Sequence, residues 1–424
     1  MSLLSRIVAP TARHDVARLV AALLAEHSGV HPEGPTRGSA LPTGPSRQSV
    51  LPTEPSKGSV LPTKPSKGSV LPTGPTGLGT SAARIRARRK DGEGGAGVPE
   101  LYCPPALRDD PALAEEVNAR LLAWAEEIGL YVGRLDRVRA ADFGRLMMLV
   151  HPDTDDPDRL LAAGKCALAE WATDDYYCDD ETMGSAPALL GAHLGVAYAA
   201  IDPAHPPLRY VPDVEEAMRD DPVRTALHSG FAHMARYADW SQLARLRHEV
   251  AVLFVGYGQE GSWRSQGRMP AVWEYLAHRQ INSFVPCVAM TDMVGGYVLP
   301  AAEYADPRVR RAVTMASTAA TLVNDLYSMA KEHHSDSVEF NLPTVIAAEE
   351  RCTPREAVER SAAIHDELVR TFEAEAAALA LTGSPQLRRF LAGVWAWLGG
   401  NRAWHSGSRR YTSTPSGTPS GTPS

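Results

Sequence analysis

The chain has 424 residues, a formal net charge of −7 and 44% hydrophobic residues. The acidic balance argues against a nucleic-acid-binding surface, because such surfaces cluster Lys and Arg. Five widely spaced cysteines without a C-x-x-C pair argue against a disulfide framework. Because no apolar run is long enough to span a bilayer, we expect a soluble, cytoplasmic protein with reduced thiols.

The first hundred residues are rich in Pro, Gly, Ser and Thr and poor in large apolar side chains. From Ser39 a ten-residue unit repeats four times, as SALPTGPSRQ, SVLPTEPSKG, SVLPTKPSKG and SVLPTGPTGL. Such units cannot build a continuous apolar core, so residues 1–100 are predicted to form a disordered arm. A second polar repeat predicts a disordered tail at residues 412–424.

Between these segments, residues 101–411 show helical periodicity and are predicted to form one all-α domain. An apolar stripe at helical spacing includes Val117, Leu121 and Trp124. An Asp followed by Pro is a strong signal for a helix start. This signal occurs at Asp110-Pro111, Asp156-Pro157, Asp221-Pro222 and Asp306-Pro307.

An acidic segment, DDYYCDDE from Asp174 to Glu181, follows an Ala-rich run within this domain. So much like charge beside a core is unfavourable unless a cation is held there, and carboxylate oxygens are preferred ligands of hard divalent cations. The acidic pairs at 109–110, 155–156 and 220–221 precede proline and are expected to cap helices. Asp174 and Asp175 instead end a helix, where its dipole disfavours carboxylates. The segment is therefore a candidate metal site, with a solvated helix end as the alternative.

A second set of oxygen donors lies in NDLYSMAKE. Asn324, Ser328 and Glu332 are spaced four and four, so on a helix they form a ridge about 12 Å long. Amide, hydroxyl and carboxylate oxygens together suit Mg²⁺. A polar face of this kind is common on ordinary helices, so it indicates a metal site only in combination with the acidic segment.

The two motifs together resemble the aspartate-rich and N-D-x-x-S-x-x-x-E motifs of bacterial class I terpene synthases. The resemblance covers about residues 101–411 and implies a single helical bundle that ionises a prenyl diphosphate with Mg²⁺, three ions being expected. The family pattern implies catalytic roles for Asp174, Arg279 and Asn324. It implies metal ligation by Asp174, Asp175, Asp179, Asn324, Ser328 and Glu332. It implies diphosphate contacts from Arg279, Lys331, Arg410 and Tyr411. Cys178 departs from the commonest spacing, so the choice among Asp175, Asp179 and Asp180 stays open.

The opening LYCPP at Leu101–Pro105 and the Pro-rich arm resemble family members that cyclise (E)-2-methylgeranyl diphosphate and capture the cation with water. This would imply an upstream methyltransferase dependent on S-adenosylmethionine.

The first alternative is another class I cyclase that uses geranyl or farnesyl diphosphate. A chain-elongating prenyltransferase should carry two aspartate-rich motifs, and a divalent-cation-binding interaction module is a remote alternative. The oligomeric state stays open, with a homodimer as one alternative.

Overall fold

The computed structural model describes residues 98–179, 185–331 and 340–407. The predicted arm up to residue 97 and the predicted tail lie outside the described residues. Within the described ranges the chain is helical and contains no strand, which confirms the predicted all-α class. No helix in these ranges combines the length and the apolarity that crossing a membrane requires.

The helices of the described residues are numbered in chain order. They are α1 (Pro111–Glu127), α2 (Leu135–Ala141), α3 (Phe143–Val150), α4 (Pro157–Asp174), α5 (Leu190–Ile201), α6 (Val211–Arg219), α7 (Pro222–Met234), α8 (Trp240–Gln266), α9 (Val272–His278), α10 (Val285–Ala289), α11 (Thr291–Val294), α12 (Ala301–Tyr304), α13 (Pro307–Lys331), α14 (Leu342–Glu350), α15 (Pro354–Thr382) and α16 (Pro385–Gly407). A π-helical turn, Asp175–Asp179, continues α4, and a short 3-10 helix, Leu208–Tyr210, precedes α6.

Aspartate caps begin several of these helices. The side chains of Asp110, Asp156 and Asp221 each accept two backbone N–H groups from the first turn of α1, α4 and α7, and a proline occupies that turn. Asp306 accepts the backbone N–H of Arg308 at 2.8 Å at the start of α13. The prediction that these acidic residues cap helices is confirmed, because each satisfies donors that the helix itself leaves unpaired.

The core lies between two groups of helices. Helix α4 packs against α1, α3 and α7, and α13 packs against α15 and α16. Val117 and Leu121, from the predicted stripe, are fully buried, and a side chain of this size contributes about 1.5–3 kcal/mol when buried. Gly144 of α3 lies so close to α1 that a Cβ would be 2.4 Å from the carbonyl oxygen of Ala114. The tight contact of α1 and α3 therefore requires glycine.

Helix α10 meets the helices that carry both motifs. The backbone N–H of Phe284, just before α10, donates to the Thr321 hydroxyl of α13 at 3.2 Å. The Phe284 ring lies 5.2 Å from that of Trp397 in α16. Cys287 donates from Sγ to Oε2 of Glu170 in α4 at 3.4 Å. The loop that joins α9 to α10 is consequently central to the bundle, and it begins with Arg279.

Candidate active site

The acidic segment lies where α4 changes its winding. Helix α4 ends at Asp174, as predicted, and the chain continues without a break into the π-helical turn. Such turns are rare and occur frequently at functional sites. Asp174 is partly exposed and Asp175 is buried. The side chain of Asp179 and residues 180–184 lie outside the described part of the chain.

Asp175 is attached to the segment between α1 and α2. Its Oδ2 accepts the Tyr131 hydroxyl at 2.7 Å and lies 3.4 Å from the Arg137 guanidinium. The backbone N–H of Tyr131 in turn donates to the Tyr176 hydroxyl at 2.8 Å. Burial, followed by the charge of Asp175, raises the pKa of Tyr131, so the tyrosine stays protonated and remains a donor. These contacts fix the start of the π-helical turn to the scaffold.

Arg264 at the end of α8 holds the other side of this turn. Its Nη1 donates to the carbonyl oxygen of Cys178 at 2.8 Å, and its Nη2 donates to Oε1 of Glu260 at 2.6 Å. Oε2 of Glu260 accepts from Asn282 Nδ2 at 2.9 Å and lies 3.3 Å from Nε2 of His278. Burial alone would raise the pKa of Glu260, but the hydrogen bond of His278 and the charge of Arg264 outweigh it and lower that pKa. An ionised Glu260 thus joins α8 to the loop after α9.

Arg279, in the same loop, forms a buried ion pair with α13. Its Nη2 donates to Oδ1 of Asp325 at 2.6 Å, and its Nη1 donates to the carbonyl oxygen of Asn282 at 3.4 Å. Oδ2 of Asp325 accepts the Tyr275 hydroxyl at 2.9 Å and the backbone N–H of Leu342 at 3.0 Å. The side chain of Asp325 is 1% exposed. The predicted diphosphate arginine is therefore attached to the helix of the second motif.

Asn324 and Ser328 share a face of α13, as their spacing predicts. The Ser328 hydroxyl donates to Oδ1 of Asn324 at 3.5 Å, and Nδ2 of Asn324 lies 3.3 Å from Nε2 of His405 in α16. Both residues are partly exposed. The other predicted contributors on this side lie outside the described residues or have undescribed side chains, namely Lys331, Glu332, Arg410 and Tyr411.

The donors that are described fit a hard cation. Asp174, Asn324 and Ser328 offer carboxylate, amide and hydroxyl oxygens, which Mg²⁺ prefers over sulfur or imidazole ligands. Among the residues with described side chains, no cluster of three or more His, Cys, Asp or Glu side chains could hold a metal ion. A cation here would therefore depend on a mixed set of oxygen donors, to which the sequence motifs also assign Asp179 and Glu332.

Comparisons with known proteins identify the family of the chain. Residues 165–371 match the family model described as terpene synthase family 2, C-terminal metal binding. A 2-methylisoborneol synthase of Streptomyces ambofaciens is 42% identical, over 78% of this chain and 78% of that protein. A (+)-T-muurolol synthase of Streptomyces clavuligerus, which cyclises (2E,6E)-farnesyl diphosphate, is 30% identical over 74% and 73%. The fold is similar to the crystal structure of a 2-methylisoborneol synthase from Streptomyces coelicolor A3(2) in complex with Mg²⁺ and geranyl-S-thiolodiphosphate, with a TM-score of 0.70. The two chains are 42% identical, and the match covers 76% of this chain and 99% of that one.

Proposed function

Because the chain belongs to the terpene synthase family, as its two motifs predict, we propose that it is a Mg²⁺-dependent 2-methylisoborneol synthase. It would convert (E)-2-methylgeranyl diphosphate and water to 2-methylisoborneol and diphosphate. The observation that carries this choice is the 42% identity to the Streptomyces ambofaciens enzyme, against 30% to the synthase that cyclises farnesyl diphosphate. The extra methyl group of the substrate would come from an upstream methyl-transfer reaction.

The metal cluster would be held from two helix ends. Asp174 would bind on the α4 side, with Asp179 as a further donor, and Asn324, Ser328 and Glu332 would bind on the α13 side. Bound Mg²⁺, for which we expect three ions, supplies Lewis-acid neutralisation of the diphosphate as it leaves. The partial exposure of Asp174 at the end of α4 and the shared face of Asn324 and Ser328 on α13 support this division of the ligands.

For Asp175 the contacts favour a different role from the predicted ligation. Its carboxylate is 8% exposed and is shared between the Tyr131 hydroxyl and the Arg137 guanidinium. A buried carboxylate with such partners loses stabilising contacts if it turns to a metal. We therefore assign Asp175 to positioning Asp174 and the π-helical turn.

The diphosphate itself would be bound mainly by cations of the chain. Arg279 donates one hydrogen bond through Nη2 to Asp325 and one through Nη1 to the carbonyl oxygen of Asn282. Since a guanidinium carries five N–H donors in a planar fork, Arg279 can keep its ion pair and still donate to diphosphate oxygens. Lys331, Arg410 and Tyr411 would add further donors, arginine through paired hydrogen bonds and lysine as a point charge.

Product analysis tests this function. The purified full chain with Mg²⁺ is incubated separately with (E)-2-methylgeranyl, geranyl and farnesyl diphosphate, and volatile products and released diphosphate are measured. We expect 2-methylisoborneol from the methylated substrate. Hydrocarbon products from farnesyl diphosphate alone would refute the substrate assignment, and the absence of turnover with all three would refute the cyclase activity.

A matched pair of variants tests the metal ligands. The double variant Asp174→Ala with Asn324→Ala should lose turnover, whereas Asp155→Ala should keep it, because Asp155 is 91% exposed and pairs with Arg108, which belongs to neither motif. Intact turnover in the double variant would rule out the proposed cluster. Equal loss in both variants would point to general damage instead.

A further inference from the structure

A buried histidine contacts the amide of Asn324, the first predicted ligand of the second motif. His405 of α16 is fully buried between aromatic rings, with ring centroids 4.6 Å from Trp404 and 5.7 Å from Tyr327. Its Nε2 lies 3.3 Å from Nδ2 of Asn324. Its Nδ1 lies 2.9 Å from the backbone carbonyl oxygen of Asn401.

The contact at Nδ1 determines the tautomer of the ring. A backbone carbonyl oxygen can only accept, so Nδ1 of His405 must carry the proton that it donates to Asn401. A neutral imidazole with a proton on Nδ1 has a lone pair on Nε2. Nε2 then accepts a hydrogen bond from the NH₂ group of Asn324. In this arrangement the NH₂ group of the Asn324 amide faces His405, and the amide oxygen faces away from it.

The oxygen of that amide points toward the predicted ligand face. Oδ1 of Asn324 accepts the Ser328 hydroxyl at 3.5 Å, and Ser328 is the next predicted ligand on α13. One helical turn before His405, Nδ2 of Asn401 donates to the carbonyl oxygen of Ala320 in α13 at 2.9 Å. This second contact holds α16 in register with α13, so His405 meets Asn324 in a fixed position. Rotation of the amide by 180° would present its NH₂ group to a cation and place its oxygen against the lone pair of Nε2.

We propose that His405 is a positioning residue that, through its Nδ1–H tautomer, keeps the oxygen of Asn324 turned toward the metal site. The proposal rests on the proposed function, since it presumes that Asn324 binds metal. If this is so, metal affinity requires a side chain at position 405 that accepts a hydrogen bond from Asn324. A side chain that only fills the same space should not maintain the affinity. Residues that orient a metal ligand in this way typically change metal affinity by about 10- to 100-fold when removed.

The tautomer of His405 can be measured directly in the wild-type chain. Nitrogen NMR of the full chain labelled with ¹⁵N-histidine distinguishes protonated from unprotonated ring nitrogens, and comparison with His405→Phe identifies the signals of His405. We expect Nδ1 of His405 to be protonated and Nε2 to be unprotonated. A proton on Nε2 of His405 would overturn the proposal, because Nε2 could then no longer accept from Asn324.

Metal affinity provides the second test. Mn²⁺ binding in the presence of inorganic diphosphate is followed by electron paramagnetic resonance for the wild type, His405→Phe, His405→Gln and His365→Phe. His405→Phe should weaken Mn²⁺ binding at least about tenfold, and His405→Gln should restore most of it, because its amide oxygen can accept from Asn324. His365 is equally buried but contacts Asp366, so His365→Phe controls for the loss of a buried histidine and should keep the affinity.

The outcomes separate the two proposals. Equal weakening in His405→Phe and His365→Phe, or unchanged affinity in His405→Phe, would overturn the positioning role while leaving the proposed function standing. A wild-type chain that binds no Mn²⁺ with diphosphate would instead refute the proposed metal-dependent function. Thermal denaturation of each variant confirms that the affinities are compared between folded proteins.

Discussion

A buried glutamate one helical turn before Asp174 should make the stability of this protein depend on pH. Glu170 is 6% exposed, and its Oε1 has no hydrogen-bond partner among the described residues. Its Oε2 accepts only the weak Sγ donor of Cys287 in the described structure. Burial outweighs this contact and raises the pKa of Glu170 from 4.5 to about 8. The carboxyl group is consequently mostly neutral near pH 7.

The sign and the size of the effect follow from linkage. The folded state binds the proton of Glu170 more tightly than the unfolded state, so this stabilisation is complete below about pH 4.5 and is lost as the pH rises through about 8. Since one pKa unit corresponds to about 1.4 kcal/mol, the free energy of unfolding should fall by about 4 kcal/mol between pH 5 and pH 8 because of this group. Glu170→Gln has nearly the same shape and no titrating proton, so it should lack this decrease.

The assay is urea denaturation of both full chains at several pH values from 5 to 8. The difference between the two free energies of unfolding isolates Glu170, because every other titrating group is common to both proteins. We expect the Glu170→Gln chain to gain stability relative to the wild type as the pH rises. Parallel pH profiles would refute the reasoning, since they would show that Glu170 is either solvated or paired in the folded state.

Three further predictions concern the contacts around the site. Asp325→Asn should lower the free energy of unfolding by about 3 kcal/mol, because it leaves the Arg279 charge buried and unpaired; an unchanged urea midpoint would contradict this pairing. Arg264→Met should speed amide hydrogen exchange in the π-helical turn, measured by mass spectrometry, and equal protection in both proteins would show that Arg264 does not hold the turn. Asp156→Ala should lower the free energy of unfolding in urea by about 1 kcal/mol, because α4 loses its cap, and Asp155→Ala should leave it nearly unchanged. Similar decreases in both variants would argue against capping by Asp156.

Local features of the fold could be predicted from the sequence. Asp156 caps α4 because its carboxylate and the proline after it act within one turn, and no distant contact is needed. The shared face of Asn324 and Ser328 follows likewise from the helical repeat alone. These predictions depend on neighbours in the chain, and the structure agrees with them.

Features that depend on distant contacts could not be predicted. The change from α4 to a π-helical turn coincides with the contacts of Tyr131 to Asp175 and of Arg264 to the carbonyl of Cys178, both of which join separate helices. Arg264 belongs to no motif, and it lies 86 residues from Cys178 in the chain, so a single sequence does not indicate that the two residues are in contact. The role of His405 cannot be predicted from sequence for the same reason, because its contact with Asn324 forms only when α16 packs on α13.

The two motifs share one arrangement that clarifies which acidic residues belong to the scaffold. In each motif the second residue is a buried aspartate that accepts a tyrosine hydroxyl and faces an arginine: Tyr131 and Arg137 for Asp175, and Tyr275 and Arg279 for Asp325. Adjacent residues on a helix are about 100° apart, so when one faces the scaffold its neighbour faces elsewhere. The first residue of each motif, Asp174 or Asn324, is the one that is partly exposed. The second residue of each motif therefore fixes its helix to the scaffold, and the first residue, Asp174 or Asn324, is the one that we propose as a metal ligand.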